Sequence, residues 1–459
     1  MNEEKRSAPE KLKLVKVETK GVLGEYDHKI EFSSSEPFVI VYGPNGVGKT
    51  KFLEIIYAAS NVDLESLVDL PFKEVKLIYS DGTIFSVTKS MFALGMSGKS
   101  NLKITLFDGV TEITKSQKLE YNIAVLEEEY PFLEKISPNI WQDIRDGEIF
   151  TTDDLTNIGA KTARIKPSLE KEFSEFKSRV SAFLIEAQRL QSYPLRRSSV
   201  DELHPSDRRL KRRRFSRKDQ SKITYLSNRM KVLISDAETQ HSRITQQLDK
   251  TFPNRFLTQT ANEKRNIDVD NIKKRYNDLN ETRNRLANIV SLEVEDNDLL
   301  LFEGNSYQNF QLQLLDLYLD DMKAKYAPFV PLLKKINILE NIINSRLLNK
   351  TIQITGKDGI VVTNNKTNSK INLDDLSSGE KHEIILMCDL LFSVSEGSVV
   401  LIDEPEISLH IAWQFKFIPD VKKIAQVADF RFIIATHSPQ IINDDRDSSV
   451  SLGPKDVQF

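Results

Sequence analysis

The chain has 459 residues, of which 29% are charged and 39% hydrophobic, and its formal net charge is −3. This length allows a large core with two or three substructures, and the near-neutral charge favours no particular class of charged partner. The single cysteine, Cys388, excludes an intramolecular disulfide, and the absence of an apolar run of about 18 residues argues against a membrane span. Because the N-terminus also lacks the apolar core of a signal peptide, we expect a cytoplasmic protein without membrane contact.

Short strands are predicted in the first part of the chain. Residues 12–18, 29–32 and 38–42 are rich in apolar and β-branched residues, and the third run leads directly into Gly43–Thr50, with the sequence GPNGVGKT. The apolar spacing of residues 51–59 predicts a helix immediately after this loop. A strand, a glycine loop and a helix in this order predict a phosphate-binding loop.

The residue types of this loop suit the phosphates of ATP. Glycines allow backbone N–H groups to surround the β-phosphate, where a side chain would collide with it. We predict that Lys49 reaches the β- and γ-phosphates and that the Thr50 hydroxyl ligates Mg²⁺. A glycine-rich turn without a ligand is the structural alternative. The predicted nucleotide-binding residues of the loop are Gly43, Asn45, Gly46, Gly48, Lys49 and Thr50.

After the first helix the pattern becomes that of β-hairpins. Residues 74–115 contain apolar runs separated by turn signals at Ser80–Gly82 and Phe107–Gly109. Residues 180–185 predict one further strand. The part of the chain up to residue 190 is therefore predicted to be a mixed α/β lobe.

A helical segment interrupts the strands between residues 191 and 348. Lys222–Lys250 carries apolar residues at heptad spacing, Phe252-Pro253 predicts the end of that helix, and residues 272–290 predict a second helix. Two antiparallel helices would form a short coiled-coil arm, whereas the alternative is an ordinary helical subdomain without an arm. Residues 307–348 predict further helix.

The strands return at residues 351–355 and 360–363, before a second group of motifs. Val399–Ile402 is a short apolar strand that ends in Asp403 and Glu404. We predict that Asp403 binds Mg²⁺ and that Glu404 polarises the attacking water, because one carboxylate can hold the metal while the next acts on the water. An acidic turn after a strand is the structural alternative.

A short serine-rich motif precedes the acidic pair. Leu376–Glu380, with the sequence LSSGE, comes just before a predicted helix at residues 383–392. Ser377 and Gly379 then lie at a helix N-terminus, where an anion is stabilised. A Ser-Ser-Gly run is also common in linkers, but the position of Ser377, 26 residues before Asp403, favours a functional motif.

These motifs together resemble those of the ATP-binding-cassette (ABC) ATPases, with Leu376–Glu380 in the place of the signature motif. The resemblance implies ATP and Mg²⁺ as ligands and a head-to-head dimer. In such a dimer, Ser377 and Gly379 of one protomer contact the γ-phosphate held by Lys49 of the other. The second glycine of the usual signature is replaced here by Ser378, as in branches of the superfamily that are not transporters.

The same resemblance implies roles for three residues outside these motifs. His437, in the segment Phe432–Pro439, matches the switch histidine that senses the γ-phosphate, and Gln188 matches the glutamine that meets Mg²⁺ and the water. His410 is at the position of the D-loop, as a dimer contact or as a surface residue. The predicted catalytic residues are Glu404, His437 and Lys49, and the predicted metal ligands are Thr50, Gln188 and Asp403.

Longer strings narrow the resemblance to one branch. The layout of two lobes split by an insertion resembles that of SMC-like and RecF-like DNA-repair ATPases. A closer resemblance, to the ATPases of bacterial anti-phage systems, which include the OLD-like nucleases, is carried by Leu401–Gln414 (LIDEPEISLHIAWQ), Ala435–Asn443 (ATHSPQIIN) and Ile185–Leu190 (IEAQRL). Among these ATPases, the chain most resembles PtuA, the ATPase of the Septu system. This resemblance implies an ATPase without nuclease activity of its own that controls a separate HNH-type nuclease. The alternatives are a DNA-repair ATPase that acts directly on DNA and an ATP-binding scaffold with little turnover.

A strongly basic run lies within the predicted insertion. Arg208–Lys218 contains eight cations in eleven residues. Contact with nucleic-acid phosphates is the functional interpretation, and a solvated loop or an acidic protein partner is the alternative. The sequence as a whole therefore predicts an α/β ATPase head that is split by a helical insertion. Its predicted parts are an N-terminal lobe at 1–190, the insertion at 191–348 and a C-terminal lobe at 349–459.

Overall fold

The computed structural model describes residues 11–33, 35–90, 101–118, 133–137, 140–143, 149–151, 171–186, 221–260, 268–290, 308–443 and 445–453. Gln188 and the basic run Arg208–Lys218 lie outside these ranges. Their predicted roles therefore stay predictions.

Among the described residues, strands predominate before the helical segment, and strands and helices are mixed after it. The strands are β1 (Leu14–Val22), β2 (Tyr26–Glu31), β3 (Phe38–Tyr42), β4 (Glu74–Tyr79), β5 (Ile84–Ser90), β6 (Asn101–Phe107), β7 (Glu112–Lys118), β8 (Leu133–Ser137), β9 (Ile140–Asp143), β10 (Ile149–Thr151), β11 (Ala182–Ile185), β12 (Lys350–Thr355), β13 (Gly359–Asn364), β14 (Lys370–Ile371), β15 (Val399–Asp403), β16 (Arg431–Ala435) and β17 (Ser449–Ser451). The helices are α1 (Lys49–Ser60), α2 (Leu64–Asp69), α3 (Lys171–Arg179), α4 (Lys222–Thr260), α5 (Val269–Ile289), α6 (Asn309–Tyr326), α7 (Val330–Asn344), α8 (Ser378–Cys388), α9 (Ile411–Ala428) and α10 (Pro439–Ile442).

Five parallel strands form a central sheet in the order β11-β15-β16-β3-β17. Strands β3 and β11 precede the helical segment in sequence, whereas β15, β16 and β17 follow it. One sheet is thus assembled from both sides of a helical insertion, which confirms the predicted split α/β fold. Because the strands are parallel, their carboxyl ends share one edge, and such an edge is where α/β proteins bind ligands.

Both faces of the central sheet are buried, which explains the continuous apolar runs in its strands. In β15, Val399 and Leu401 belong to the core that contains α1, whereas Val400 and Ile402 belong to the core beneath α8 and α9. The residues of β3 and β16 alternate between the two cores in the same way. Helices packed on both faces therefore hold the strand ends in place.

An antiparallel sheet covers the side of α1 that faces away from the central sheet. Its strands follow the order β2-β1-β4-β5-β6-β7, and the hairpins predicted at residues 74–115 are confirmed as β4 to β7. Val17, Val75 and Val87 point inward and are fully buried, while Lys16 and Glu18 on the other face form an ion pair. The alternation of apolar and polar residues is that of a sheet with one solvated face.

The helical insertion differs from the prediction at one point. Helix α4 continues through Pro253 to Thr260, so the predicted end at Phe252-Pro253 was wrong. A proline within a helix removes a backbone hydrogen bond and costs about 3 kcal/mol. Two contacts of Arg255, two residues after the proline, stabilise the continued helix. Its guanidinium pairs with the Asp321 carboxylate of α6, at 2.7 Å for Nη2, and donates to the Leu248 carbonyl of α4 itself.

The two predicted helices of the arm, α4 and α5, pack together with a third helix, α6. Both α4 and α5 pack against it, and Arg275 of α5 forms ion pairs with Asp316 and Asp320 of α6. Apolar residues of the predicted seam, including Leu226 and Met230, are buried against the core beneath the central sheet. The described helices include none with the length and apolarity that a bilayer crossing requires.

Candidate functional site

The carboxyl edge of the central sheet collects most of the predicted site residues. Strand β3 ends at the phosphate loop, β15 ends at Asp403, and β16 ends two residues before His437. Because β16 lies between β3 and β15, the loop and the acidic pair flank its end. A cavity of about 640 Å³ lies between Gly43-Pro44 and the segment after β16, so the edge is open to a ligand.

The phosphate loop has a backbone that glycine alone fits well. A Cβ on Gly43 would lie 2.3 Å from the carbonyl oxygen of Leu452, and Gly48 precedes α1 with a φ of 84°. Asn45 and Gly46 are exposed at the tip of the loop. Helix α1 begins at Lys49, so its unpaired N–H groups and the positive end of its dipole face the loop, as in anion sites.

Lys49 is folded back over its own loop. Its side chain is buried, and Nζ donates to the carbonyl oxygens of Gly43 at 3.0 Å and Pro44 at 3.2 Å. Burial lowers the pKa of Lys49, and the nearby carboxylates of Glu404 and Asp403 oppose that effect. The ammonium group therefore lies inside the loop, where a bound phosphate would meet it.

Thr50 and Asp403 meet although 353 residues separate them. The Thr50 hydroxyl donates to Oδ2 of Asp403 at 2.9 Å, while Oδ1 is buried without a hydrogen-bond partner in the described part of the chain. Burial raises the pKa of Asp403, the Thr50 hydrogen bond opposes this, and the Glu404 charge adds to it. A hydroxyl and a carboxylate with a free oxygen fit Mg²⁺, which prefers oxygen ligands.

Glu404 and His437 form the second pair of the site. His437 Nε2 lies 3.5 Å from Glu404 Oε1. The backbone of Glu404 has a φ of 42°, a conformation that is strained for a residue with a side chain, and its N–H donates to the Ala435 carbonyl at 2.8 Å. Such strain is concentrated at functional sites, where the surrounding structure enforces it.

The predicted signature motif lies at the N-terminus of α8. Ser377 caps this helix: its hydroxyl accepts from the Glu380 N–H, and the Glu380 carboxylate accepts from the Ser377 N–H at 2.9 Å. Lys350 forms an ion pair with the same carboxylate, with 2.8 Å between its Nζ and Glu380 Oε1. Among the described residues, no hydrogen bond of this motif joins Ser377 or Gly379 to the phosphate loop of their own protomer. Their contact with a second protomer stays a prediction.

Two residues at the site had no assigned role in the sequence analysis. His28 on β2 is buried, and its Nε2 lies 3.1 Å from the carbonyl oxygen of Val47 in the phosphate loop. Because a carbonyl only accepts, Nε2 carries the proton, and burial lowers the pKa of His28 and keeps it neutral. No local pattern could reveal this tertiary contact. The second residue is Glu406, within the quoted string LIDEPEISLH, and it contacts the segment of His437.

We expect His28→Ala to weaken ATP binding, because it removes the donor that holds the Val47 carbonyl. A buried acceptor left without its donor costs about 1–3 kcal/mol. His28→Gln places an amide N–H near the position of Nε2 and should restore part of the affinity. Calorimetric titration with Mg²⁺·ATP measures this difference, and equal affinity of both variants and the unaltered chain would contradict the role of His28.

The fold and the site define a class of protein. A glycine loop lies between β3 and α1, an acidic pair follows β15, and a histidine follows β16, the strand between β3 and β15. This arrangement is that of a P-loop ATPase head. Residues 38–443, more than half of the chain, match the family described as "AAA domain, putative AbiEii toxin, Type IV TA system". The chain belongs to this family of ATPases.

Individual proteins are similar over shorter stretches or at low identity. The "Retron Ec83 probable ATPase" of Escherichia coli is 36% identical over 87 residues, a match that covers 17% of this chain and only 16% of that protein. The SMC head domain of Pyrococcus furiosus, bound to the C-terminal domain of ScpA, is 12% identical with a TM-score of 0.35 and coverage of 96% of this chain and 94% of that one. The head domain from Pyrococcus yayanosii is 13% identical, with a TM-score of 0.34 and coverage of 97% and 96%.

Proposed function

We propose that this chain is the cytoplasmic ATPase of a bacterial anti-phage complex, similar to PtuA of the Septu system, and that it controls a separate HNH-type nuclease. The observation that carries the ATPase part is the cluster at one sheet edge: Lys49 in its loop, Thr50 on Asp403, and Glu404 beside His437. The similarity to a retron ATPase supports the defence role.

Each residue of the cluster has a separate role in hydrolysis. The loop N–H groups and Lys49 bind the β- and γ-phosphates, and Thr50 with Asp403 would hold Mg²⁺, which neutralises phosphate charge when bound. Glu404 accepts a proton from water as the water oxygen attacks the γ-phosphorus, and the bond to the β-γ bridging oxygen breaks to release ADP. His437 donates to the γ-phosphate oxygens, so that its contact is lost after cleavage.

The site is completed by a second protomer in this proposal. Ser377 and Gly379 of the partner cover the γ-phosphate, which explains why neither contacts the phosphate loop of its own protomer. An ABC-type dimer of this kind has two equal sites, each built from both chains.

We expect two variants that are inactive alone to regain ATPase activity when they are mixed. Lys49→Ala lacks phosphate binding and Ser377→Arg blocks the partner's site, so each alone should lack ATPase activity. Their equimolar mixture should regain about one quarter of the normal rate, because about half of randomly paired dimers are mixed and each has one complete site. Phosphate release measures this rate. A mixture as inactive as its components would show that each site belongs to a single chain.

The nuclease partner is tested by purification from the native operon. We expect a tagged chain to bring a small HNH-type nuclease in a multi-copy complex whose mass changes with ATP. A chain that emerges alone and dimerises with ATP would favour a DNA-repair ATPase instead. DNA contact through Arg208–Lys218 is a separate part of the proposal, and the charge of that segment supports it.

A further inference from the structure

Glu406 connects the turn after the acidic pair to the segment of His437. It lies in the 3₁₀ turn Pro405–Ser408, three residues after Asp403. Its Oε1 accepts two hydrogen bonds, from the Thr436 hydroxyl at 2.8 Å and from the backbone N–H of His437 at 2.6 Å. The carboxylate therefore binds the main chain of the histidine and not its imidazole.

The segment is held on its other side as well. Thr436 is fully buried, and its hydroxyl accepts from the Ser438 N–H at 3.0 Å. The Ser438 hydroxyl lies 2.6 Å from Oε1 of Gln414 on α9, and the Gln414 amide donates to the Leu409 carbonyl at 3.1 Å. The backbone around His437 is thus anchored before and after the histidine, while its side chain extends toward Glu404.

We propose that Glu406 is a positioning residue for hydrolysis. By holding the N–H of His437 and the hydroxyl of Thr436, it sets the main chain from which the imidazole reaches Glu404 and a bound γ-phosphate. It also joins the turn after the acidic pair to the histidine segment, so that both catalytic groups keep one geometry. This inference rests on the proposed ATPase function.

The contacts of Glu406 distinguish positioning from proton transfer. Both hydrogen bonds end on Oε1, and Oε2 is buried without a hydrogen-bond partner among the described residues. Oε1 is thus occupied by two donors and Oε2 is shielded from solvent, which favours a positioning role over proton transfer. A glutamine can accept the same two hydrogen bonds through its own Oε1, so its amide serves as a conservative replacement.

Steady-state ATP hydrolysis of the full chain tests the proposal. We expect Glu406→Ala to lower kcat by about 10²-fold with little change in KM, because small displacements of a catalytic group cost rates of this order. Glu406→Gln should keep kcat near that of the unaltered chain. Thr436→Val removes one of the two hydrogen bonds and should have an intermediate kcat. Glu112→Ala, at an exposed position on β7, is the control for loss of a glutamate.

A double substitution shows whether Glu406 acts through the histidine. In the background of His437→Ala, adding Glu406→Ala should change kcat little, since the group that it positions is already absent. The proposal would be overturned if the losses of kcat from the two substitutions were fully additive. It would also be overturned if Glu406→Gln and Glu406→Ala lowered kcat equally, because the effect would then come from the charge of Glu406. If Glu406→Ala does not fold, Thr436→Val and Glu406→Gln decide the question.

The failure of this inference differs from failure of the proposed function. If the unaltered chain hydrolyses ATP and Glu406→Ala does so equally well, the positioning role is wrong and the ATPase function stands. If the unaltered chain has no activity that depends on Lys49 and Glu404, the ATPase function itself is wrong.

Discussion

Glu404→Gln is expected to lower kcat for ATP hydrolysis by about 10²–10⁴-fold, the usual contribution of a positioned general base. The amide has nearly the shape of the carboxylate and can still face His437, 3.5 Å away in the present structure. It cannot accept the proton of the attacking water. Binding should survive, because Lys49, Thr50 and Asp403 are unchanged.

The same substitution should trap the dimer that ATP closes. Light scattering is expected to show a Glu404→Gln dimer that persists with Mg²⁺·ATP and dissociates with ADP, while phosphate release is nearly absent. Glu112→Gln, on the exposed strand β7, controls for the loss of one negative charge. Hydrolysis by Glu404→Gln at the normal rate would assign the base to another group, and loss of ATP binding would make Glu404 a ligand of the nucleotide.

Arg346→Met is expected to have the largest effect on stability. Arg346 follows α7, and its side chain is 2% exposed and contacts Glu383 of α8 and Asp420 of α9. Burial lowers its pKa, and the charge and hydrogen bond of Asp420 oppose that effect. Without the guanidinium, the Glu383 carboxylate loses its buried counter-charge, and Asp420 keeps only the mostly exposed Lys423. Breaking a buried ion pair in this way costs about 3–5 kcal/mol.

Urea unfolding measures this loss, and two further variants make it specific. Lys423→Ala removes a mostly exposed partner of Asp420 and should cost at most about 1 kcal/mol. Arg346→Met combined with Glu383→Leu and Asp420→Leu removes the buried charges together and should recover much of the stability. An Arg346→Met chain as stable as the original would show that the carboxylates are neutral without their partner.

The cluster around Arg346 also joins the three helices behind the predicted signature motif. Glu383 lies one turn after Glu380 on α8, and Asp420 lies on the helix that begins after the turn containing Glu406. Arg346 thus fixes α8 relative to α9. The spacing between Ser377 and the acidic pair is therefore set partly by a buried charge cluster.

Much of the site could be predicted because its parts are local. Phe38–Thr50 contains the strand, the loop and the start of the helix in one stretch, and β15 with Asp403 and Glu404 is another such stretch. Backbone preference and apolar runs are properties of neighbouring residues, so both predictions needed only short windows of sequence. The predicted strands β1, β2 and β3 and the helix α1 follow from the same local signals.

Helix α4 shows where local signals are insufficient. Pro253 is a strong helix breaker in isolation, and the sequence offered no reason to continue the helix beyond it. The pairing of Arg255 with Asp321 crosses 66 residues and depends on how α4 and α6 pack. Tertiary contacts worth a few kcal/mol can override a local preference of similar size.

The sequence by itself determined the local parts of the candidate site: a glycine loop between a strand and a helix, an acidic pair after a buried strand, and a helical insertion that splits one sheet. Only the tertiary structure decided which distant residues meet. Three hydrogen bonds join separate strands or turns in this way: Thr50 to Asp403, His28 to Val47, and the His437 N–H to Glu406. Such contacts follow from the order of strands in the sheet, and that order is set by the packing of two cores rather than by any short stretch of chain.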